Sequence, residues 1–151
     1  MTATNHALTG SLIGLTVSQS VLAVFLALMS HFVLDAIPHY SDDQNKIGSQ
    51  GFKYYLIVEA SLCFAIVVLL AIFRPADWQL AAVCAFVASS PDFMWAPAYW
   101  RTRQGLPFAL PKHKIALFHA KIQWFARPIG VFVELAWLVG SASLVLTSVI
   151  K

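Results

Sequence analysis

His31, Asp35 and His39 are the residues whose types and spacing most clearly suggest chemistry. They stand at steps of four just beyond an apolar run, Leu12 to Leu28, which is long enough to cross the hydrocarbon core of a bilayer. Residues four apart lie on one side of a helix, so two imidazoles and a carboxylate are expected to face together. Ionisable groups at the end of a membrane segment are costly unless they pair, bind a metal or line a wet cavity. The pattern predicts a functional site there.

The composition indicates a membrane protein. Of the 151 residues, 59% are hydrophobic and 11% are charged, whereas a soluble domain has roughly 25% charged residues. We expect one all-α integral membrane domain over residues 1–151, with about four membrane-embedded helices, a short N-terminal helix and an amphipathic interfacial helix. Cys63 and Cys84 lie in apolar segments and are interpreted as small buried residues. The basic residues lie in loops beside apolar segments, so the pI near 9 does not indicate a nucleic-acid partner.

Two arrangements fit the first forty residues. A short helix over residues 5–16 can turn and be followed by a second helix over residues 19–37, or one long bent helix can cover both. We favour the hairpin because it returns His39 to the end of the molecule where His6 lies. A continuous helix would separate those two residues by roughly 50 Å. Pro38 should end the second helix close to His39.

The rest of the chain predicts membrane segments over about residues 52–73, 78–99 and 129–150 and a surface helix over residues 112–126. Glu59 and Glu134 lie about two turns inside the first and last segments. Pro91 should interrupt the middle segment beside Asp92. The surface helix is amphipathic, so we expect it to lie at the membrane interface, where His119 could help to cover the site.

The charges predict the orientation. Followed through the membrane, the chain places eight basic residues on the face that holds His39, and only Arg74 and Lys151 on the other. The eight are Lys46, Lys53, Arg101, Arg103, Lys112, Lys114, Lys121 and Arg127. Cytoplasmic loops carry an excess of Lys and Arg, so the site is expected to face the cytoplasm. Of the seven acids, only Asp77, a candidate N-cap, lies at the other end.

Imidazoles and carboxylates at one depth form a ligand set suited to a divalent metal. Zn²⁺ fits this mixture best, Mn²⁺ or Mg²⁺ are alternatives, and the set is large enough for one or two ions. The candidate ligands are His6, His31, Asp35, His39, Glu59, Asp92 and His119. Asp35, Glu59 and Asp92 are also candidate catalytic carboxylates. A bound ion lowers the pKa of a coordinated water, which predicts hydrolysis without a nucleophilic serine or cysteine.

Simpler interpretations apply to several polar residues. His113 fits a solvated interfacial residue, and Asp42 and Asp43 fit ordinary loop charges. Glu59 and Glu134 each fit a buried acid satisfied by a neighbouring helix. The aromatic residues near the membrane surfaces fit an interfacial belt, namely Tyr54, Tyr55, Trp95, Tyr99, Trp100 and Trp124.

At these residues the sequence resembles a family of small bacterial membrane proteins described as membrane-bound metal-dependent hydrolases. The similar segments are Thr4–Gly10, His31–His39, Ser90–Phe93 and the region of His119. The central block is also similar to the H-[FY]-x-x-D segment of zinc-dependent phospholipase C and related nucleases, which are all-helical enzymes. The resemblance implies that His31, Asp35 and His39, with His6, are metal ligands. The chain lacks the later HxxxE pair of the phospholipase pattern.

The leading hypothesis is a hydrolase of the bacterial inner membrane that cuts a phosphoester of a lipid or lipid-linked substrate at the cytoplasmic interface. Arg101, Arg103 and Lys112 are the candidate phosphate-binding residues. One alternative is a non-catalytic metal- or haem-binding membrane protein. Another is a transporter or proton relay, which at four segments would need a homo-oligomer to enclose a path.

Overall fold

Seven α-helices form the described part of the chain. The computed structural model describes residues 1–40, 47–109 and 112–150. The helices are α1 (Ala3–Thr16), α2 (Ser20–Ala36), α3 (Gln50–Phe73), α4 (Trp78–Ser89), α5 (Ala96–Arg103), α6 (Lys114–Ile122) and α7 (Val131–Ile150), with short 3₁₀ turns at Ser90–Trp95, Gln123–Phe125 and Pro128–Gly130. The predicted all-α class is confirmed. The predictions made for Asp42, Asp43, Lys46 and Lys151 fall outside the described residues.

The N-terminal hairpin is confirmed. Val17 is extended, so α1 ends at Thr16, and Gln19 caps the start of α2 by accepting a hydrogen bond from the backbone N–H of Leu22. α2 ends at Ala36 because Ile37, which precedes Pro38, is extended. The expectation that His39 shares a helix face with His31 is therefore wrong, since the helix stops three residues before it.

α1 lies at the centre of the bundle, in contact with α2, α3, α4 and α7. Its small residues allow close approach to α4. A Cβ at Gly10 would lie 2.3 Å from the carbonyl oxygen of Cys84, and one at Gly14 would lie 2.4 Å from the Cα of Ala81. Helices that pack this closely in membranes use small residues at the contact.

Three segments are long and apolar enough to cross a membrane: Gln50–Phe73, Trp78–Arg103 and Pro128–Ile150. Most of α3 is exposed, as expected for a surface that faces lipid. α2 is apolar but has 17 residues, or about 26 Å at 1.5 Å per residue. α1 and α2 therefore form a shorter hairpin packed against the three longer segments.

The middle segment is interrupted where the sequence predicted. α4 ends at Ser89, the 3₁₀ turn follows with Pro91 at its start, and α5 continues to Arg103. At the other end of α4, Asp77 does occupy the N-cap position, but its backbone is left-handed (φ 61°) and its side chain makes no capping hydrogen bond.

α6 is amphipathic, and its apolar face points away from the bundle. Ile115, Leu117 and Phe118 are exposed, whereas Ala116 and His119 are buried against the bundle. The helix therefore presents its larger apolar side chains away from the protein and one imidazole towards it. That orientation suits a helix seated at a membrane surface.

Candidate metal centre

Four ligand atoms converge at one end of the bundle. Nε2 of His31, Nε2 of His119, a carboxylate oxygen of Asp35 and one of Asp92 all lie within 4.8 Å of one another. Both imidazoles and Asp35 are at most 1% exposed, whereas Asp92 is 34% exposed. This cluster could hold a metal ion, with the side of Asp92 left accessible.

Three different elements supply the four side chains. His31 and Asp35 are one turn apart in α2, so they face the same way. Asp92 lies in the 3₁₀ turn that replaces the middle of the second long segment, and His119 lies on the buried face of α6. The break at Pro91 and the inward face of α6 therefore complete a site that α2 begins.

The spacing of the atoms suits a small tetrahedral ion. Zinc–nitrogen bonds of about 2.0–2.1 Å place tetrahedral ligands about 3.3 Å apart. Nε2 of His31 lies 3.0 Å from Nε2 of His119, 3.4 Å from Oδ2 of Asp35 and 3.7 Å from Oδ1 of Asp92. The contact between His119 and Asp35 is closer, at 2.5 Å, and would have to lengthen around an ion.

His31 is already oriented as a ligand. Its Nδ1 lies 2.7 Å from the carbonyl oxygen of Ala88, which can only accept, so Nδ1 carries the proton. In the neutral imidazole the lone pair then lies on Nε2, which faces the cluster. Metal-binding histidines are commonly held in this way by a backbone carbonyl.

His119 is held in the opposite tautomer. Its Nδ1 accepts a hydrogen bond from the indole N–H of Trp95 at 3.1 Å, so in the neutral ring the proton is on Nε2. From Nε2 it can donate to Oδ2 of Asp35 or to Nε2 of His31. His119 can therefore bind an ion through Nε2 only after Nε2 has lost its proton. Because the hydrogen bond from Trp95 keeps Nδ1 unprotonated, metal binding is coupled to that contact.

Asp35 is the most heavily contacted group of the cluster. Its Oδ1 lies 2.5 Å from the α-amino group of Met1 and 3.2 Å from Nε2 of His6. Its Oδ2 accepts a hydrogen bond from the side-chain amide of Gln123 at 3.2 Å. The two oxygens are thus divided, with Oδ1 turned to the N-terminus and Oδ2 turned to the histidines of the cluster.

No family model matches this chain, and no curated protein or solved structure matches it either. The chemistry of the site therefore rests on its own geometry.

The other candidate ligands are not members of the four-residue cluster, although His6 adjoins it. His6 stacks on the ring of His31 with centroids 4.1 Å apart, and its Nε2 contacts Asp35. His39 donates from Nδ1 to the carbonyl oxygen of Ile37, and burial lowers the pKa of this imidazole, which favours its neutral form. Glu59 accepts two hydrogen bonds from Thr4, one from the backbone N–H and one from the hydroxyl.

The candidate phosphate-binding residues Arg101, Arg103 and Lys112 are exposed. Arg101 and Arg103 lie in the last turn of α5, which follows directly on the turn that carries Asp92. They are therefore on the same chain segment as the accessible side of the cluster.

Sequence reasoning assigned Trp95 to an interfacial belt and so missed its contact with His119. A signal was present, because Asp92 and Trp95 are three residues apart in a 3₁₀ turn, where residues i and i+3 eclipse. The carbonyl of Ala88, one turn before Asp92, could not be identified in this way. Its role depends on how α4 packs against α2.

Proposed function

We propose that this protein is a metal-dependent hydrolase of the bacterial inner membrane, with its metal bound within the cluster of His31, Asp35, Asp92 and His119. The observation that carries the proposal is the convergence of two imidazole nitrogens and two carboxylates from three elements in a nearly closed site. Burying such groups is costly unless they are paired or bind an ion. A divalent ion there would lower the pKa of a coordinated water and polarise a phosphoryl oxygen.

The side chains divide the work of hydrolysis. His31, His119 and Asp35 are buried and would hold the ion. Asp92 is the accessible member, so it is the group best placed to accept a proton from the attacking water. Arg101 and Arg103 would attract a phosphoester by charge, with Lys112 contributing from the connection that leads to α6.

The membrane setting favours a lipid or lipid-linked substrate. α6 exposes apolar side chains beside the cluster to which it contributes His119, and three segments could span a bilayer. A substrate with an apolar tail could thus lie in the membrane while its phosphoester reaches Asp92. By the excess of basic residues on this face, the site would face the cytoplasm.

Metal content tests the first half of the proposal. The full chain, purified in detergent from zinc-replete cells, should contain about one equivalent of zinc per molecule. His31→Ala and His119→Ala should each lower the affinity at least about 100-fold, because they remove ligand atoms rather than their supports. Metal-free wild-type protein would overturn the proposal.

His113→Ser is the matched control. His113 is an exposed histidine that caps α6 by accepting from the N–H of Ala116, and serine can make the same capping bond. This variant should retain the full metal content. Equal loss in the control and in the cluster variants would indicate non-specific binding by histidine.

Turnover separates hydrolase from carrier. Zinc-loaded protein in lipid nanodiscs should cleave synthetic phosphoesters that bear a single alkyl chain, and Asp92→Asn should slow cleavage by about 10²–10⁴-fold, as for the loss of a general base. A protein that holds zinc but cleaves neither monoesters nor diesters would instead support a non-catalytic metal protein.

The close contact between His31 and His119 argues against haem. Their Nε2 atoms are 3.0 Å apart and both face Asp35. This separation leaves no space for a porphyrin between the two rings.

A further inference from the structure

A cavity separate from the histidine cluster lies between the first turn of α1, α3 and α7, and most of its open surface is apolar. Its volume is about 110 Å³, and its polar wall consists of Thr2, Thr4, Asn5, Glu59 and Glu134. The remainder of the wall is formed by aliphatic side chains of α3 and α7. Glu59 and Glu134 belong to the two most hydrophobic long segments, yet each is at most 9% exposed. Neither carboxylate belongs to the His31–Asp35–Asp92–His119 cluster.

Hydrogen bonds account for part of this wall. Oε2 of Glu59 accepts from the N–H and the hydroxyl of Thr4, and Oε1 of Glu134 accepts from the N–H of Thr2. Asn5 donates from Nδ2 to the backbone carbonyl of Glu134 at 3.2 Å. A carboxylate offers about four lone-pair sites, so these bonds leave acceptor capacity on both acids.

One atom of the wall has no partner at all among the described residues. Asn5 is 1% exposed, and its Oδ1 is buried without a hydrogen bond. Buried polar atoms are almost always satisfied by protein, water or an ion. An acceptor atom without a partner, in a cavity with two carboxylates, indicates a ligand that is positively charged or that donates hydrogen bonds.

The charge of the wall leads to the same conclusion. No basic side chain is among the described residues that line the cavity. The α-amino group of Met1 is paired with Asp35, and the N-terminus of α1 contributes only about half a positive charge, so the two carboxylates are not balanced. Buried charges in proteins are paired or coordinate metals.

The ligand atoms of the cavity wall indicate the class of ion. They are carboxylate, amide and hydroxyl oxygens, which suit Mg²⁺, Mn²⁺ or Ca²⁺, whereas imidazole favours zinc. The volume corresponds to about four waters at about 30 Å³ each. Mg²⁺ typically retains several waters and takes one or two carboxylates. We propose that the cavity of Asn5, Glu59 and Glu134 binds a partly hydrated divalent cation of the Mg²⁺ type, as a site separate from the histidine cluster.

Mn²⁺ is the probe for this site. The full chain in detergent is first saturated with Zn²⁺ to fill the histidine cluster, and Mn²⁺ binding is then followed by electron paramagnetic resonance. We expect about one Mn²⁺ per molecule, displaced by millimolar Mg²⁺. No such Mn²⁺, or Mn²⁺ that Mg²⁺ does not displace, would overturn the proposal.

Isosteric variants assign the ion to the cavity. Glu59→Gln and Glu134→Gln keep an acceptor oxygen for Thr4 and Thr2 but remove charge, so each should weaken Mn²⁺ binding at least about tenfold. Asp77→Asn removes an exposed carboxylate from the other end of α4, where it makes no capping bond, and should leave binding unchanged. Equal affinity in the two glutamine variants and wild type would contradict the assignment. If neither glutamine variant folds, the wild-type stoichiometry decides.

His31→Ala separates this site from the proposed hydrolase. It should lower the affinity for zinc at least about 100-fold and leave the affinity for Mn²⁺ within about twofold. Loss of both ions in this variant, with helical circular dichroism retained, would mean that there is one site rather than two. Failure of zinc binding with Mn²⁺ binding retained in wild type would contradict the proposed function alone.

Discussion

The two cluster histidines differ in where their protons lie, and this difference has consequences for metal affinity. The carbonyl of Ala88 holds the proton of His31 on Nδ1, whereas the indole of Trp95 holds the proton of His119 on Nε2. The first arrangement presents a lone pair to an ion and the second presents a donor. Without metal, the single Nε2–H of His119 can donate either to Oδ2 of Asp35 or to Nε2 of His31, which has no proton of its own.

Trp95→Phe should therefore tighten zinc binding, by about tenfold, which lies at the low end of the range for supporting contacts. Phenylalanine fills similar space but has no N–H, so Nδ1 of His119 can carry the proton and Nε2 becomes a free ligand. Competition with a chromogenic chelator measures the affinity. Trp100→Phe, at an exposed tryptophan, is the control and should show no change. Weaker binding in Trp95→Phe would contradict this account of the tautomer.

The lowered pKa of His39 leads to a second prediction at the residue scale. Burial lowers the pKa of its imidazole from 6.5, so folding favours the neutral ring. The stability that depends on the neutral form is present above about pH 6.5 and is lost as pH falls below it. His39→Asn keeps a donor for the carbonyl of Ile37 but cannot titrate. Melting temperatures in detergent between pH 7.5 and 5 should fall more steeply for wild type than for this variant, and parallel curves would contradict the prediction.

The types and spacing of residues predicted every member of the candidate metal cluster. They did not show which of the seven proposed ligands lie outside it. His31 and Asp35 follow from one helical turn, and Asp92 follows from the break at Pro91. His39 was grouped with them by continuing the four-residue step past Pro38, where the helix has already ended. Glu59 has the right chemistry but is held at Thr4, and that contact depends on packing between α1 and α3.

At the scale of elements, the contact between α1 and α4 is packed so closely that it leaves no space for larger side chains at Gly10 and Gly14. Gly10 and Gly14 lie one turn apart and place the backbones in direct contact. The first turn of α1 also contributes His6 beside Asp35, and the N–H groups of Thr4 and of the N-cap Thr2 bond Glu59 and Glu134. Displacing α1 would therefore move groups at both polar sites.

Gly10→Ala should destabilise the protein by about 1–3 kcal/mol, as overpacking does elsewhere. The added Cβ meets the carbonyl of Cys84, a backbone atom that cannot rotate away. This cost outweighs the roughly 0.5–1 kcal/mol that alanine contributes to a helix. Gly140→Ala is the matched control, because a Cβ there meets nothing within 4 Å, and it should be neutral or slightly stabilising. Thermal unfolding in detergent compares the two, and equal melting temperatures would contradict the close-packing interpretation.

Helix positions were predictable to within a few residues because apolar runs, prolines and polar breaks mark them. The arrangement of the helices around α1 was not predictable, because it depends on which small residues meet. Gly10 and Gly14 form a G-x-x-x-G pattern, which indicates a close helix contact but does not identify α4 as the partner. The outward-facing apolar side of α6 was consistent with an interfacial helix, but only the fold shows that His119 points inward.

At the scale of the whole molecule, the described polar clusters gather at one end. The cluster of His31 and the cavity of Glu134 both lie near the start of α1, while the turn from Arg74 to Asp77 joins α3 to α4 at their other ends. The transporter alternative requires polar groups along a path between the two ends. The carboxylates of Glu59 and Glu134 are instead bonded at the start of α1, to Thr4 and to the N-cap Thr2.

The charge asymmetry predicts a fixed orientation. In a background where Cys63 and Cys84 are replaced by alanine, Ala76→Cys should react with a membrane-impermeant maleimide in intact spheroplasts. Gln104→Cys should react only after the cells are permeabilised, because it directly follows Arg101 and Arg103 of α5 and should remain cytoplasmic. Both positions are exposed, so access is limited by the membrane rather than by the fold. The reverse labelling pattern would place the site outside the cytoplasm.

α6 is nine residues long and has a different task on each side: Ile115, Leu117 and Phe118 meet the surroundings, and His119 meets the cluster. We expect the exposed apolar side to lie in a membrane surface, so the surrounding amphiphile should help to set the position of the His119 imidazole. Extraction by short-chain surfactants should loosen that ring before the core of the bundle melts. Activity and zinc retention should consequently vary with acyl-chain length, even where the helical content stays constant.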